Sequence, residues 1–222
     1  MADKTPTPRE RYRQQVRAEV KERAWEQIAG VGASALSLNA IAKQMGLSGP
    51  ALYRYFANRD ELITELVRDA YRSLADALLA TGSAGGTHPA DLLELTRTLR
   101  RWALADPHRY FLVYGTPVPG YHAPEDTTVI ASEIMSTLLD ACVAAGPGPE
   151  PAGPAAALDA HLEHHRPWAA GHPGARPAEL RRALAFWTRL HGTLSLELAG
   201  HFTGMDLDPE LLYAAEVASL TS

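Results

Sequence analysis

Residues 37–56 read Ser-Leu-Asn-Ala-Ile-Ala-Lys-Gln-Met-Gly-Leu-Ser-Gly-Pro-Ala-Leu-Tyr-Arg-Tyr-Phe, and this stretch decides the fold of the first third of the chain. Apolar residues recur in its first half at the spacing of one helix face; they are Leu38, Ile41, Ala42 and Met45. Ser37 precedes them as a capping hydroxyl, and Gly46 follows where the backbone turns left-handed. The pattern predicts a short helix that ends in a tight turn.

A second short helix is predicted directly after the turn, with Ser48 as its cap and Pro50 in its first turn. Leu52 and Phe56 lie four residues apart and form its inner face. The outer face offers hydroxyls, an arginine and small residues, which suit phosphates and base edges. The pair is therefore typical of a helix-turn-helix that enters a DNA groove. An ordinary helical hairpin in a core is the alternative.

The charge of the chain is unevenly distributed. The net charge of the 222 residues is −5, which taken alone disfavours nucleic acid. Residues 1–60 contain ten Lys or Arg and six Asp or Glu, whereas residues 61–222 contain eleven and twenty. A basic N-terminal part of charge +4 on an acidic remainder of charge −9 orients the molecule toward a polyanion.

The composition excludes several classes of protein. With 46% hydrophobic and 21% charged residues, the chain should be globular. No apolar run approaches the ~20 residues of a membrane helix, and residues 1–13 are too polar for a signal peptide, so we expect a cytoplasmic protein without a membrane partner. The single cysteine, Cys142, is expected to be a buried small hydrophobe. No nucleophile elbow, phosphate-binding glycine loop or His-Glu-x-x-His motif occurs, so neither an enzyme nor a cofactor is expected.

Helical periodicity continues through the rest of the chain without sustained β alternation, which predicts an all-α fold. Besides the two short helices, helices are predicted near 9–29, 58–80, 89–105, 107–114, 125–145, 155–166, 178–201 and 209–220. Residues 1–8 are predicted to be a mobile arm, and Gly- and Pro-rich segments predict loops at 81–87, 115–124, 146–154 and 167–177. We assign residues 9–60 to a helix-turn-helix domain and residues 61–222 to a larger helical domain.

Residues 9–80 resemble the DNA-binding domain of the tetracycline-repressor (TetR) family. The similarity rests on the basic first helix, Gly32-Ala33, Ser37 to Ala42, Gly46-Leu47-Ser48, Leu52 to Phe56 and Asn58 to Leu62. Phe186 to Gly192, with its Trp and His-Gly, resembles a motif of one sub-group. The resemblance implies a three-helix helix-turn-helix domain linked by a helix to a larger domain for ligand binding and dimerisation.

The resemblance also implies which residues meet DNA. Tyr53 resembles a tyrosine that contacts the DNA backbone, and Arg59 stands where a lysine usually meets phosphate. Leu36 replaces a frequent threonine, which removes one phosphate contact. Because the start of the recognition helix is small and nearly featureless, base readout is expected to rest largely on Arg54 and on DNA shape. The complete expected set is Arg9, Arg13, Ser37, Ser48, Gly49, Pro50, Ala51, Tyr53, Arg54, Tyr55 and Arg59.

A homodimer and a ligand pocket in the larger domain are likewise implied by the resemblance. Small residues on the last long helices permit close crossing of two copies, and the expected interface consists of Gly192, Leu194, Ser195, Leu198, Ala199 and Phe202. The pocket candidates are Trp102, Tyr110, Phe111, Tyr114, Met135, Trp187 and His191, although core packing is the better interpretation of each of them taken alone. Their position beside a Pro-rich loop favours a pocket for an apolar or aromatic molecule, with His191 as its polar handle.

Two functions remain open. The first is a dimeric repressor that binds an inverted repeat in double-stranded DNA and is released by an unknown small-molecule effector. The alternative is a DNA-binding dimer without a sensor, either architectural or controlled by a protein partner. His161 and His165 lie four residues apart with Glu163 and His164 between them, but the segment lacks cysteine and lies between Pro-Gly loops, so no metal site is expected.

Overall fold

The computed structural model describes residues 7–84, 91–146 and 151–221, and every regular element within these ranges is helical. The helices are α1 (Pro8–Val31), α2 (Leu38–Gln44), α3 (Gly49–Leu52), α4 (Arg59–Ala84), α5 (Leu92–Ala105), α6 (Pro107–Tyr114), α7 (Glu125–Ala144), α8 (Pro154–His164), α9 (Pro177–Leu198) and α10 (Pro209–Thr221). The all-α prediction is confirmed. Most of the predicted N-terminal arm, the end of the loop predicted at 81–87 and the helix start predicted at Pro89 lie outside the described ranges.

Short polar side chains set the helix ends, as their positions in the sequence indicate. Thr7 and Glu10 form a capping box at the start of α1, with Thr7 N donating to Glu10 Oε2 at 2.7 Å. Asp106 ends α5 and caps α6, whose Arg109 N donates to its carboxylate at 3.0 Å. The helix predicted over residues 178–201 corresponds to α9. It ends at Leu198 because Gly200 adopts a left-handed backbone with φ of 77°.

The chain divides into two compact units, and the first comprises the residues up to Asp69 together with Thr116–Pro124. α1 contributes the predicted apolar stripe, now buried, of Val16, Val20, Ala24 and Ile28. Buried side chains from the rest of this unit complete its core; they include Leu38, Ile41, Leu52, Phe56, Leu62 and Leu66. The boundary lies within α4, and the segment 116–124, assigned to the larger domain from sequence, belongs here. Tyr121 Oη lies 3.1 Å from Thr64 Oγ1 within this unit.

The second unit comprises Ala70–Gly115 and Glu125–Ser222 and is built around α9. The neighbours of α9 are α5, α6, α7, α8 and α10. The centre of its core includes Leu74, Leu99, Tyr110, Ile134, Leu139, Phe186 and Leu194. Cys142 is fully buried there, as its apolar surroundings predicted, and burial raises the pKa of its thiol to about 12.

Helix α7 corrects one expectation from the sequence. In the described part of the chain, Thr127–Ala144 is the single helical window long and apolar enough to cross a membrane. One side of this window, with Ile134, Leu138 and Cys142, packs in the core of the second unit. A half-buried core helix passes the same test, so the window by itself is weak support for a membrane span.

Candidate nucleic-acid interface and ligand pocket

The helix-turn-helix is formed by α2, a glycine turn and α3. Ser37 Oγ accepts a hydrogen bond from Ala40 N at 3.3 Å and so caps α2. Gly46 follows with φ of 66°, a backbone conformation that residues with a Cβ rarely adopt. α3 approaches α2 closely at Gly49, where a Cβ atom would lie only 3.3 Å from Asn39 Oδ1.

α3 is shorter than its sequence predicted. It spans Gly49–Leu52 rather than reaching Phe56, and the following residues form tighter turns in which Tyr55 N donates to Leu52 O at 2.8 Å. Arg17 on α1 donates to the Tyr55 carbonyl and lies over the Phe56 ring, 4.1 Å from its centroid. These contacts anchor the end of the recognition segment, which we define as residues 48–55.

The recognition segment exposes most of the polar groups expected to meet DNA. Ser48, Pro50, Tyr53 and Arg54 are exposed, whereas Gly49, Ala51 and Tyr55 are half-buried. On α1, Arg9 and Arg13 are also exposed. These side chains are accessible and lie in the same compact unit, as a DNA-contacting set requires.

Arg59 has a different environment from the one expected. Its Nη2 donates to the carbonyl oxygens of Ala33 at 2.9 Å and Ser34 at 3.1 Å, and its Nη1 lies 3.8 Å from Asp60. Arg59 therefore ties the start of α4 to the turn before α2, in addition to any contact with phosphate.

Two residues with structural roles in this unit were missed from the sequence. Arg17 forms ion pairs at 3.5 Å with both Glu61 and Glu65, besides its contact with the recognition segment. The sequence does not distinguish Arg17 from Arg13, because both lie on the same basic helix. Leu36 is 4% exposed and packs in the core, so an apolar residue replaces the frequent threonine there for a structural reason.

In the second unit, α6 and α9 bring most of the predicted pocket residues into one aromatic cluster. The rings of Tyr114 and His191 have centroids 4.2 Å apart, and Trp187 stands 4.2 Å from His191. Trp102 and Phe111 contact Tyr110 at 6.5 and 5.5 Å between centroids. Met135 packs against the same core. Ser195, expected at a dimer interface, instead lies 2.9 Å from Tyr110 Oη.

Hydrogen bonding holds one edge of the His191 ring and leaves the other edge for a ligand. Tyr110 Oη lies 3.0 Å from His191 Nδ1, 2.9 Å from Ser195 Oγ and 3.2 Å from the His191 carbonyl oxygen. Nδ1 is therefore occupied by the phenol, and Nε2 is the ring atom that a polar group of a ligand can reach. Burial lowers the pKa of His191 to about 4, so the ring is neutral at pH 7.

Two buried polar atoms in this cluster have no partner among the described residues. They are His191 Nε2 and Tyr114 Oη. A buried polar atom without a hydrogen bond is costly, by roughly 1–3 kcal/mol, and both atoms would be satisfied by a polar group of a ligand. Burial also raises the pKa of the Tyr114 phenol well above its usual value, so it remains a potential donor.

An apolar cavity adjoins the aromatic cluster through Trp187. It has a volume of about 30 Å³ and is lined by residues of α4, α5, α7 and α9 that include Leu78, Leu99, Thr137 and Leu190. A single water needs roughly 10–15 Å³, so the cavity as it stands is far smaller than a site for a drug-sized ligand. Occupation by such a ligand would therefore require the surrounding side chains to move.

The expected dimer residues do not all face outward. Gly192 on α9 and Ala199 directly after its end are exposed, and Leu198 and Phe202 are half-buried. Leu194 is fully buried in the core of its own chain, so it cannot contact a partner. The helical period places Leu196, which is 44% exposed, on the outer side instead.

The histidines of the segment 161–172 do not form a common site. The rings of His161 and His165 stack with centroids 4.0 Å apart, while His172 Nε2 lies 2.9 Å from the Asp140 carboxylate. Across residues 7–84, 91–146 and 151–221, no group of three His, Cys, Asp or Glu side chains is placed to hold a metal ion.

Comparison with known proteins identifies both parts of the chain. Residues 22–66 match the family model described as bacterial regulatory proteins, tetR family, and residues 92–220 match the tetracyclin repressor-like C-terminal domain. The HTH-type transcriptional regulators Mb1846 of Mycobacterium bovis and Rv1816 of Mycobacterium tuberculosis are 33% identical over 226 residues, which cover 95% of this chain and 92% of each relative.

Solved structures agree with this assignment. The crystal structure of SCO4313, a candidate regulatory protein, is 63% identical with a TM-score of 0.86 and covers 96% of this chain and 98% of its own. A protein from Rhodococcus sp. RHA1 shares the fold at 22% identity with a TM-score of 0.66, covering 93% of both chains. The matched regulators act on transcription, which confirms that the chain is not an enzyme. The chain belongs to the tetracycline-repressor family of bacterial transcriptional regulators.

Proposed function

We propose that the protein is a cytoplasmic, homodimeric repressor that binds an inverted-repeat operator and is released by a small, largely apolar or aromatic ligand. The observation that carries DNA binding is the recognition segment, where Ser48, Tyr53 and Arg54 are exposed on a packed helix-turn-helix. The basic balance of residues 1–60 supports it, since phosphate contact supplies much of the affinity for DNA.

An inverted repeat is bound by two helix-turn-helix domains, one from each copy of the chain. The exposed face of α9 and α10 supports such a dimer. Gly192 and Leu196 on α9 and Ala199 directly after its end are exposed and follow one another along one side. Leu211 on α10 is 68% exposed, a large apolar side chain for which a second copy would provide cover. A four-helix bundle of α9 and α10 from two copies would bury these residues.

The proposed effector site is the aromatic cluster of Tyr114, Trp187 and His191 with the adjoining cavity. Its two unpartnered polar atoms favour a ligand with one or two hydrogen-bonding groups on an apolar framework. The ligand would release the DNA if it binds more tightly to a conformation in which the distance between the two helix-turn-helix domains does not match the spacing of the operator half-sites.

Selection from random duplexes tests the DNA proposal. The purified protein should enrich an inverted repeat, with half-sites separated by about one helical turn or a multiple of it. Sedimentation of the complex should give two protomers per operator. Enrichment of a sequence without two-fold symmetry would contradict a dimeric operator.

The sensor is tested separately from DNA binding. The melting temperature of the free protein should rise in the presence of an apolar or aromatic metabolite, by the linkage of binding to folding. The same compound should weaken operator binding, and Trp187→Leu should abolish both effects. If operator binding is tight but no compound in a broad panel changes either quantity, the alternative of a DNA-binding dimer without a sensor is favoured.

A further inference from the structure

A groove on the outer side of α7 is separate from the aromatic cluster. The segment Pro167–His172 packs against α7 and encloses about 330 Å³, a volume in the range of small-molecule sites. α7 lines the groove with Ser132, Glu133 and Ser136, and it lines the inner cavity with Ile134, Thr137 and Leu138. The groove and the inner cavity therefore lie on opposite faces of one helix and share no lining residue.

The wall of the groove opposite α7 is held in place by hydrogen bonds. The Arg166 guanidinium donates to the carbonyl oxygens of His172 at 2.6 Å and Ala175 at 2.8 Å. His172 Nε2 lies 2.9 Å from Asp140 Oδ1, which joins the wall to α7. Ala169 at the base is 2% exposed. These contacts form the groove without a ligand, so binding would not have to order the segment first.

The polar groups that α7 presents to the groove are mainly acceptors. Ser132 Oγ donates its proton to Thr128 O at 2.8 Å, which leaves its lone pairs free. Glu133 Oε2 pairs with Arg72, while Glu133 Oε1 takes no hydrogen bond among the described residues and the side chain is 41% exposed. Ser136 is half-buried, and its hydroxyl also has no partner in that part of the chain.

An aromatic ring completes the groove. Trp168 is half-buried and lines it, and within residues 7–84, 91–146 and 151–221 its indole contacts neither another ring nor a cation. The face of an indole attracts cations through the negative potential of the ring. No Lys or Arg is among the described residues that line the groove, and the carboxylate among them is Glu133. Because Arg72 pairs with one of its two oxygens, the other oxygen is left to a positively charged ligand.

We propose that this groove binds a small organic cation with a planar ring and N–H donors, such as an aromatic amidine or ammonium compound. The ring stacks against Trp168, and the N–H groups donate to Glu133 and to the serine hydroxyls. This site is independent of the effector site at Tyr114 and His191, because α7 separates their linings.

Three isosteric probes test the charge preference. Benzamidinium, benzamide and benzoate have the same ring and differ in charge, and their affinities for the full-length protein can be measured by ligand-observed NMR titration. Benzamidinium should bind at least tenfold more tightly than benzamide, and benzoate should show no saturable binding. Equal binding of benzoate, or no binding of benzamidinium, would overturn the proposal.

Substitutions locate the binding. Glu133→Gln keeps the shape of the side chain and should weaken benzamidinium binding about tenfold or more, because the hydrogen bond from the cation loses its charged acceptor. Trp168→Leu should also weaken it. Glu163→Gln, an exposed carboxylate on α8, is the matched control and should have no effect.

Two measurements keep the result interpretable. The melting temperature of each ligand-free variant shows whether it folds, and Ser136→Leu provides a second way to fill the groove if Trp168→Leu is unstable. Retention of benzamidinium affinity in both Glu133→Gln and Ser136→Leu would place the cation elsewhere and refute the proposal. Trp187→Leu should leave benzamidinium binding unchanged, which distinguishes this site from the proposed effector site.

Discussion

Three arginines of the first unit illustrate how differently one residue type is used. The Arg17 side chain is occupied by Glu61, Glu65 and the Tyr55 carbonyl, and Arg59 is bound to two carbonyl oxygens. Arg54 is exposed on the recognition segment. Its guanidinium is therefore the best placed of the three to reach a base edge, where arginine binds guanine through two hydrogen bonds.

Arg54→Ala is expected to weaken operator binding and to relax base preference at one position of each half-site. Loss of a bidentate contact costs about 1–3 kcal/mol per contact. Binding to the selected operator and to variants with single base changes measures both effects. Arg97→Ala removes the same charge from an exposed position on α5 and should change neither. Unaltered base preference in Arg54→Ala would contradict direct readout by this residue.

Arg59→Ala is expected to lower the free energy of unfolding as well as DNA affinity. The variant loses hydrogen bonds from the guanidinium to Ala33 O and Ser34 O, worth about 1–2 kcal/mol together. Denaturant unfolding without DNA measures the stability, and the exposed Arg11→Ala serves as the control. If Arg59→Ala is as stable as the wild type, the two contacts contribute nothing in solution.

His191 should make the stability of the second unit depend on pH. Its folded-state pKa is lowered to about 4 by burial, whereas the unfolded chain binds the proton near pH 6.5. The stabilisation from a neutral His191 is present above pH 6.5 and is lost as the pH falls toward 4. The loss between pH 7 and pH 5 should be at most about 2 kcal/mol.

Comparison of unfolding at the two pH values isolates this effect. His191→Gln cannot take up a proton and should lose less stability at pH 5 than the wild type does. His108→Gln, at an exposed position, should behave as the wild type. Equal pH dependence of all three proteins would mean that His191 is protonated as readily in the folded chain as in the unfolded one.

At the scale of elements, α7 and α9 each present opposite faces to different surroundings. On α9, Leu190 and Leu194 are buried in the core, whereas Gly192, Leu196 and, directly after the helix, Ala199 are exposed. The period of 3.6 residues separates these sets, since positions two apart point in different directions. The outer set is small or apolar, which suits helix-on-helix contact between copies better than contact with water.

Leu196→Glu is therefore expected to dissociate the dimer. A carboxylate at the centre of an apolar helix pair would be desolvated without a partner, and the dissociation constant should rise at least roughly tenfold. Sedimentation velocity over a concentration series measures it. Leu104→Glu, from a leucine 39% exposed on α5, is the matched control and should leave the dimer intact. An unchanged dimer in Leu196→Glu would place the interface on another face.

At the scale of the whole molecule, charge is separated along the chain. The net charge of residues 1–60 is +4, and that of the remainder is −9. Positive side chains that meet phosphate release counterions, so the logarithm of the binding constant should fall linearly with the logarithm of salt concentration, with a slope of about −0.9 for each phosphate contact.

Removal of Arg9 and Arg13 together should flatten this slope without changing base preference. Both side chains are exposed on α1, and phosphate contacts carry no direct sequence information. Titrations of the selected operator at several salt concentrations give the slope. Substitution of Arg97 and Arg101, both exposed on α5, is the control. An identical slope in the α1 variant would mean that α1 does not touch the DNA backbone.

The sequence by itself determined the helical class, the helix-turn-helix and most helix ends. These features depend on local physics: apolar periodicity, capping by Ser37 and Asp106, and the left-handed turn at Gly46 are written in neighbouring residues.

Only the tertiary structure decided which side chains of a predicted helix face are free to contact DNA, a ligand or a second copy of the chain. It buried Leu194 in the core of its own chain and placed the Ser195 hydroxyl beside Tyr110. It employed Arg17 and Arg59 in holding the first unit together, and it buried His191 Nε2 and Tyr114 Oη without partners among the described residues. It also formed the groove between α7 and Trp168 from segments about thirty residues apart. Such outcomes depend on contacts between residues distant in the chain, and periodicity along one helix contains no information about what packs against it.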